Sequence, residues 1–245
     1  MKPPDEFSNC YKRTLPIKTD TRGFASSFVI NYREHNWLVT ASHVVENRES
    51  GDERPFEVLD KGKTHAGLEP LQSQSPADVA VFQLWTDAED ESDDAALEPR
   101  SAEGVYPTQD VYLLGYPDIN DHGRYRNLSY AVQPSPLIMR AMVSGDANYY
   151  GIKALLLAGT AHHGFSGGPV ILHEPKSESP QVVIGVISGY IPARGRFIPG
   201  RLHPDSIQLG GELPFCETNS GLSICFDIQY ALTDIDAHLA GDASE

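Results

Sequence analysis

Residues 162–172 read His162-His163-Gly164-Phe165-Ser166-Gly167-Gly168-Pro169-Val170-Ile171-Leu172. Glycines two positions before the serine and one and two after it let Ser166 sit on a tight turn, with its hydroxyl exposed and backbone N–H groups free to face a reacting oxygen. Ser166 is therefore read as a nucleophile, and the search for its base and for the acid behind that base orders the rest of the chain.

The five residues Gly164–Gly168 also satisfy Gly-x-Ser-x-Gly, the nucleophile elbow of α/β-hydrolases. An elbow must run into a helix, whereas Pro169 is followed by Val170, Ile171 and Leu172, a β-rich run that predicts a strand. Chain order gives a second test: hydrolases place acid and histidine after the serine, chymotrypsin-type proteases before it. Upstream, His43 follows an apolar strand and small-residue turn in Trp37-Leu38-Val39-Thr40-Ala41-Ser42-His43-Val44-Val45. Asp78 stands at the mouth of a buried-looking strand in Ser75-Pro76-Ala77-Asp78-Val79-Ala80-Val81-Phe82.

With these motifs in the order His, Asp, Ser, the chain resembles the chymotrypsin-like (trypsin-like) serine peptidases, and within them the HtrA-like bacterial branch. Thr-Ala-Ser-His-Val-Val, Ala-Asp-Val-Ala-Val and Gly-Phe-Ser-Gly-Gly-Pro-Val carry the likeness, which covers roughly residues 12–240. It implies an all-β fold of two packed six-stranded antiparallel barrels with a C-terminal helix and no PDZ-like segment. The implied division is a flexible arm at 1–11, a barrel at 12–100 carrying His43 and Asp78, a barrel at 101–228 carrying Ser166, and a helix and tail at 229–245. Family members usually have Gly-Ser-Gly-Phe where this chain has Ala25-Ser26-Ser27-Phe28, which puts the local backbone geometry in question.

The resemblance assigns His43 as general base, Asp78 as the group holding its ring, and the backbone N–H groups of Gly164 and Ser166 as the oxyanion hole. It also implies that Ser188-Gly189-Tyr190 pairs with the substrate backbone as an added strand and that Thr160 lies near the base of the side-chain pocket. Without a carboxylate at position 160, small or medium apolar side chains are expected there, with Tyr190 narrowing the pocket. Exposed loop roles are expected for His162 and His163, against a second catalytic role or a zinc site. Phe165 occupies the place where digestive-type proteases carry the Asp that pairs with a freed N-terminus. That activation route is excluded, and the Gly164 loop is hypothesised to wait for a substrate or an activating protein partner.

Composition fits this reading. A formal charge of −15 argues against nonspecific binding to nucleic acid or an anionic membrane. Many Gly and Pro with 40% hydrophobic residues suit short strands joined by turns. Three cysteines, Cys10, Cys216 and Cys225, are odd in number and sparse; Cys216 and Cys225 could meet across a hairpin, but reduced core or loop thiols are the favoured reading. Neither a cofactor nor a metal is expected, and Met1–Glu6 has no apolar segment behind it, so a cytoplasmic protein is expected.

Strands are predicted at 13–18, 24–31, 37–41, 56–59, 64–68, 78–85, 111–115, 128–132, 137–144, 152–157, 170–172, 182–190 and 222–227. The acidic run 87–94 reads as a solvated loop and 192–220 as a long excursion. The expected function is a serine endopeptidase acting through an acyl-enzyme on a polypeptide substrate. The alternatives are a silent peptide-binding module on the same fold and an esterase-like hydrolase.

Overall fold

The computed structural model describes residues 7–18, 24–46, 57–60, 63–66, 68–84, 97–117, 135–174, 181–196 and 215–242. Its first half comprises α1 (Ser8–Arg13), β1 (Thr14–Lys18), β2 (Phe24–Tyr32), β3 (His35–Thr40), α2 (Ser42–Glu46), β4 (Glu57–Asp60), β5 (Lys63–Ala66) and β6 (Ala80–Gln83). These strands form one antiparallel sheet in the order β5-β4-β1-β2-β3-β6. The second half comprises β7 (Glu98–Pro99), β8 (Asp110–Gly115), β9 (Leu137–Tyr149), β10 (Ile152–Ala158), β11 (Pro169–His173), β12 (Gln181–Arg196), β13 (Phe215–Asp227) and α3 (Gln229–Asp242). Strands β11-β8-β9-β10-β13-β12 make a ring closed by β11 on β12, and the two-residue β7 adds to β12 in parallel.

The near-continuous apolar runs of the first half are explained by burial on both strand faces. Phe28, Ile30, Trp37, Val39, Val79 and Val81 face a core shared with Ile171, Val186, Phe226 and α3 of the second half. The alternate residues Val29, Leu38, Ala80 and Phe82 fill the interior of the first sheet. The three elements β2, β3 and β6 are thus gripped from two sides, and the site is built at their ends.

Several expectations are corrected in detail. The arm expected over 1–11 is helical from Ser8, because Phe7 and Cys10 are buried: Phe7 packs on Tyr112 and His173, and the Cys10 thiol donates to Gln181 Oε1. The excursion expected over 192–220 is strand at both flanks, since β12 and β13 stay paired out to Arg196 and Phe215, which satisfies their backbone polar groups. Cys225 is a free buried thiol, in agreement with the reduced thiols favoured from the cysteine count. The predicted strand at 128–132 and the acidic run 87–94 lie outside the described residues. Leu232 and Ile235 of the terminal helix α3 are buried, as is Ile228 just before it.

Candidate active site

Strand pairing brings the first two candidates together. Thr40 of β3 lies opposite Ala80 of β6, so His43, three residues beyond the one, and Asp78, two residues ahead of the other, emerge at the same end of the ladder. Helix α2 opens with Val44 N–H on the Ala41 carbonyl (3.1 Å) and turns the imidazole back over the ladder end. Asp78 ends a segment of serine turns, in which Ser75 Oγ accepts from Ala77 N–H and Ser73 Oγ donates to the Ser75 carbonyl. The His43 ring nitrogen Nδ1 stands 2.7 Å from Asp78 Oδ2, and the His43 backbone N–H donates to Oδ1 at 2.9 Å.

A third donor reaches the carboxylate from the second half of the chain. Ser188 Oγ donates to Asp78 Oδ2 at 2.5 Å. Burial pushes the Asp78 carboxyl up, but the His43 ring, the Ser188 hydroxyl and the His43 backbone N–H outweigh it and hold the group below the ordinary carboxylate range. An ionised carboxylate only accepts, so Nδ1 carries the hydrogen and Nε2 is left with its lone pair. Ring tautomer and basic nitrogen both follow from that one carboxylate.

Ser166 lies across from this pair on a loop held by several backbone hydrogen bonds. Phe165 N–H donates to the His162 carbonyl (3.0 Å), Gly168 N–H to the Phe165 carbonyl (2.9 Å) and Gly167 N–H to the Ile187 carbonyl (2.7 Å). The N–H groups of Gly164 and Ser166 have no acceptor among the described residues. Gly164 has φ +90° and Gly167 φ +82°, a region in which side chains are strained. Phe165 is fully buried inside the second ring beside Leu113, Val170 and Ile187, so the loop is anchored by an apolar side chain. The Ser166 hydroxyl donates to the Ser188 carbonyl oxygen at 3.0 Å.

Ser188 can serve two partners because it sits where the β12–β13 register shifts, between Ile187 and Gly189. Such an irregularity re-aims a residue, here carbonyl toward Ser166 and hydroxyl toward Asp78. Next along β12, the Tyr190 hydroxyl lies 3.3 Å from His163 Nε2, with the rings edge to face. Thr160 is half-buried in a segment pinned to β13: Ser223 Oγ donates to the Gly159 carbonyl and accepts from Ala161 N–H, and Asn219 donates to the Ala161 carbonyl. The structure therefore brings together His43, Asp78 and Ser188 directly, Ser166 through Ser188, and Tyr190 with His163.

Sequence reasoning gave Ser188 only a backbone role and left Asn219 and Ser223 unmentioned. Their signal is weak, since polar residues within a strand pattern look like turn formers. Among the described residues no group of three or more His, Cys, Asp or Glu side chains converges as a metal would require. No described helix is long and apolar enough to cross a membrane.

Comparison with known proteins agrees with this architecture. Residues 25–177 match the trypsin-like peptidase domain, and the chain belongs to that family. Comparison with curated protein sequences gives no match. Among solved structures, the HtrA-type protease AlgW with a tripeptide is similar at 13% identity and a TM-score of 0.59, over 93% of this chain and 60% of that one. The chain thus spans less than two thirds of that protein's length. Rv3671c protease from M. tuberculosis in its active form is similar at 16% identity and a TM-score of 0.56, over 95% of this chain and 83% of that one. Its inactive form gives 16% identity, a TM-score of 0.53, and 95% and 92% coverage. At such identities the likeness fixes the fold, a chymotrypsin-like double barrel, and no more.

Proposed function

We propose that the chain is a serine endopeptidase with Ser166 as nucleophile, His43 as general base and Asp78 as the group that orients and charges the imidazole. The observation that carries this reading is the pair of bonds from one histidine to one carboxylate, Nδ1 to Oδ2 and backbone N–H to Oδ1. As Ser166 Oγ forms its bond to the scissile carbonyl carbon, its proton passes to His43 Nε2. Oxyanion charge falls on the N–H groups of Gly164 and Ser166. Collapse breaks the C–N bond, the leaving amine takes the proton from Nε2, and water repeats the sequence to free the acid.

A substrate strand added along Ser188–Tyr190 would offer an N–H to the Ser188 carbonyl, where the Ser166 hydroxyl now sits, and release that hydroxyl toward His43. An activating protein partner would act at the same step. We place the reaction in the cytosol, a reading supported by the sparse cysteines and by Cys10 and Cys225 being free thiols. The test is covalent labelling by a fluorophosphonate, expected for the purified chain and lost in Ser166→Ala and His43→Ala. No labelling, alone or with peptide or lysate added, removes the assignment. The bond from Ser166 to Ser188 favours a second reading, a peptide-binding module that does not cut. Peptide that binds wild type and Ser166→Ala alike and is recovered intact from both would establish it.

A further inference from the structure

We infer that Ser26, in the first barrel, is a positioning residue that sets the orientation of the oxyanion-binding peptides in the second; this rests on the peptidase reading above. Ser26 is fully buried in β2, and each of its polar groups has a partner at the junction. Its N–H donates to the Ser166 carbonyl at 2.9 Å. Its hydroxyl donates to the Gly164 carbonyl at 2.6 Å while accepting from Tyr116 N–H at 2.8 Å. Its carbonyl accepts from the Thr40 hydroxyl at 2.8 Å.

These bonds fall on particular peptide planes. The Gly164 carbonyl belongs to the 164–165 peptide and the Ser166 carbonyl to the 166–167 peptide. Between them lies the 165–166 peptide, whose N–H is one proposed oxyanion donor; just before them lies the 163–164 peptide, whose N–H is the other. Ser26 holds both flanking carbonyls on the side of β2, so the two donor N–H groups face away from it. At Gly164, with φ +90° and no side chain, rotation of a peptide plane meets little steric resistance. The hydroxyl of Ser26 therefore supplies the restraint that the glycine lacks. The Tyr116 N–H fixes the rotor in turn: with one lone pair occupied, the hydroxyl hydrogen is aimed at Gly164.

The side chain at position 26 has to be small as well as hydroxylic. A Cβ on Gly167 would lie 2.1 Å from the Ser26 carbonyl oxygen, so the loop and β2 are already in backbone contact. This accounts for the run Ala25-Ser26-Ser27 inside an otherwise large apolar strand. Neither Ala25 nor Ser27 takes a positive φ, so the residues that replace the family's glycines are unstrained.

The experiment compares Ser26→Ala and Ser26→Gly with Ser27→Ala, which removes a neighbouring buried hydroxyl whose one bond among the described residues is to the Leu15 carbonyl (3.1 Å). Cleavage of a peptide substrate is measured together with inhibition by a peptide aldehyde, whose hemiacetal oxygen occupies the oxyanion position. Both Ser26 variants are expected to lose about 10²-fold in kcat, the scale of losing one oxyanion-hole donor, with KM within about threefold of wild type on the same grounds. Aldehyde affinity should fall by the same factor as kcat, and Ser27→Ala should match wild type in both. Ser26 variants whose kcat and aldehyde affinity equal those of Ser27→Ala overturn this assignment and leave the peptidase reading intact. A wild type that neither cleaves nor is labelled overturns both. Should one Ser26 variant fail to fold, the other decides.

Discussion

The hydroxyl of Ser166 donates to the carbonyl oxygen of Ser188 at 3.0 Å. In the function proposed above, the acceptor that a substrate strand would use is already taken by the proposed nucleophile, so that binding and release of the hydroxyl would be one event. Removing the hydroxyl frees the carbonyl. For a peptide whose scissile amide is reduced to a methylene-amine, Ser166→Ala should bind up to about tenfold tighter than wild type, the range of one net hydrogen bond. Calorimetry giving equal or weaker binding to the variant would show that the two do not compete.

Asp78→Asn should lower kcat by about 10⁴-fold with little change in KM. An amide at Oδ2 donates to Nδ1 instead of accepting from it, which puts the hydrogen on Nε2 and leaves no base for Ser166. Stability gives an independent readout. Because the folded-state pKa of Asp78 is lowered, its contribution is complete above the unfolded value of about 3.9 and is lost as pH falls through the folded value. The difference in thermal midpoint between wild type and Asp78→Asn should be level from about pH 5 upward and shrink below about pH 4. A difference that grows in acid contradicts the sign.

Gly167 and Gly104 have nearly the same backbone conformation, φ +82° and +84°, but different surroundings. A Cβ on Gly167 meets Ser26 O and Thr40 Oγ1 at 2.1 Å each; one on Gly104 meets nothing within 4 Å. Gly104→Ala should therefore cost about 1 kcal/mol, the conformational part alone. Gly167→Ala should cost about 3 kcal/mol or more, because the overlap can be relieved only by parting β2 from the loop. Denaturant midpoints decide, and equal losses would remove the packing argument.

The sequence showed the fold through strands with both faces apolar, and the candidate residues through glycines and turns that strand periodicity cannot explain. It did not show what depends on contact between distant segments. Phe165 stands among three glycines, Gly164, Gly167 and Gly168, where nothing in the local pattern signals burial, yet it is fully buried, because the ring of β-strands closes over it. Ser188 reads as part of a substrate-pairing strand, and only the register shift in β12 reveals its bond to Asp78. Ser26 and Ser27 look alike in the sequence; their alternate faces give one to the Gly164 loop and the other to the Leu15 carbonyl.

Tyr190 and His163 touch between the strand proposed to bind substrate and the residue just ahead of Gly164. If this contact narrows the side-chain pocket, removing the ring should widen what it accepts. Tyr190→Ala is expected to raise kcat/KM for Phe or Leu relative to Ala at the cleaved position by about 10-fold, the scale of a few buried methylenes. Tyr190→Phe keeps the ring and should keep the preference. An unchanged profile in a library of fluorogenic peptides for Tyr190→Ala would place the contact outside the pocket.

Helix α3 is fastened to the segment that delivers Asp78. Asp234, 3% exposed, accepts from the Gln74 N–H at 2.7 Å, four residues ahead of Asp78. Burial pushes the Asp234 carboxyl up, and the bonds from Gln74 and Ser73 pull it back only in part. The sign is opposite to that of Asp78. A raised folded pKa means that the folded chain keeps this proton longer than the unfolded one, so stability falls as pH rises from the unfolded value of about 3.9 through the folded value. Asp234→Asn keeps an acceptor oxygen and removes the ionisation, so its stability relative to wild type should rise across that interval and then level off. Asp234→Ala leaves the Gln74 N–H unpaired and should cost about 1–3 kcal/mol at every pH. Urea midpoints from pH 4 to 8 test both; a wild-type–Asn difference independent of pH would mean that Asp234 stays ionised throughout and that the helix is held there by a charge.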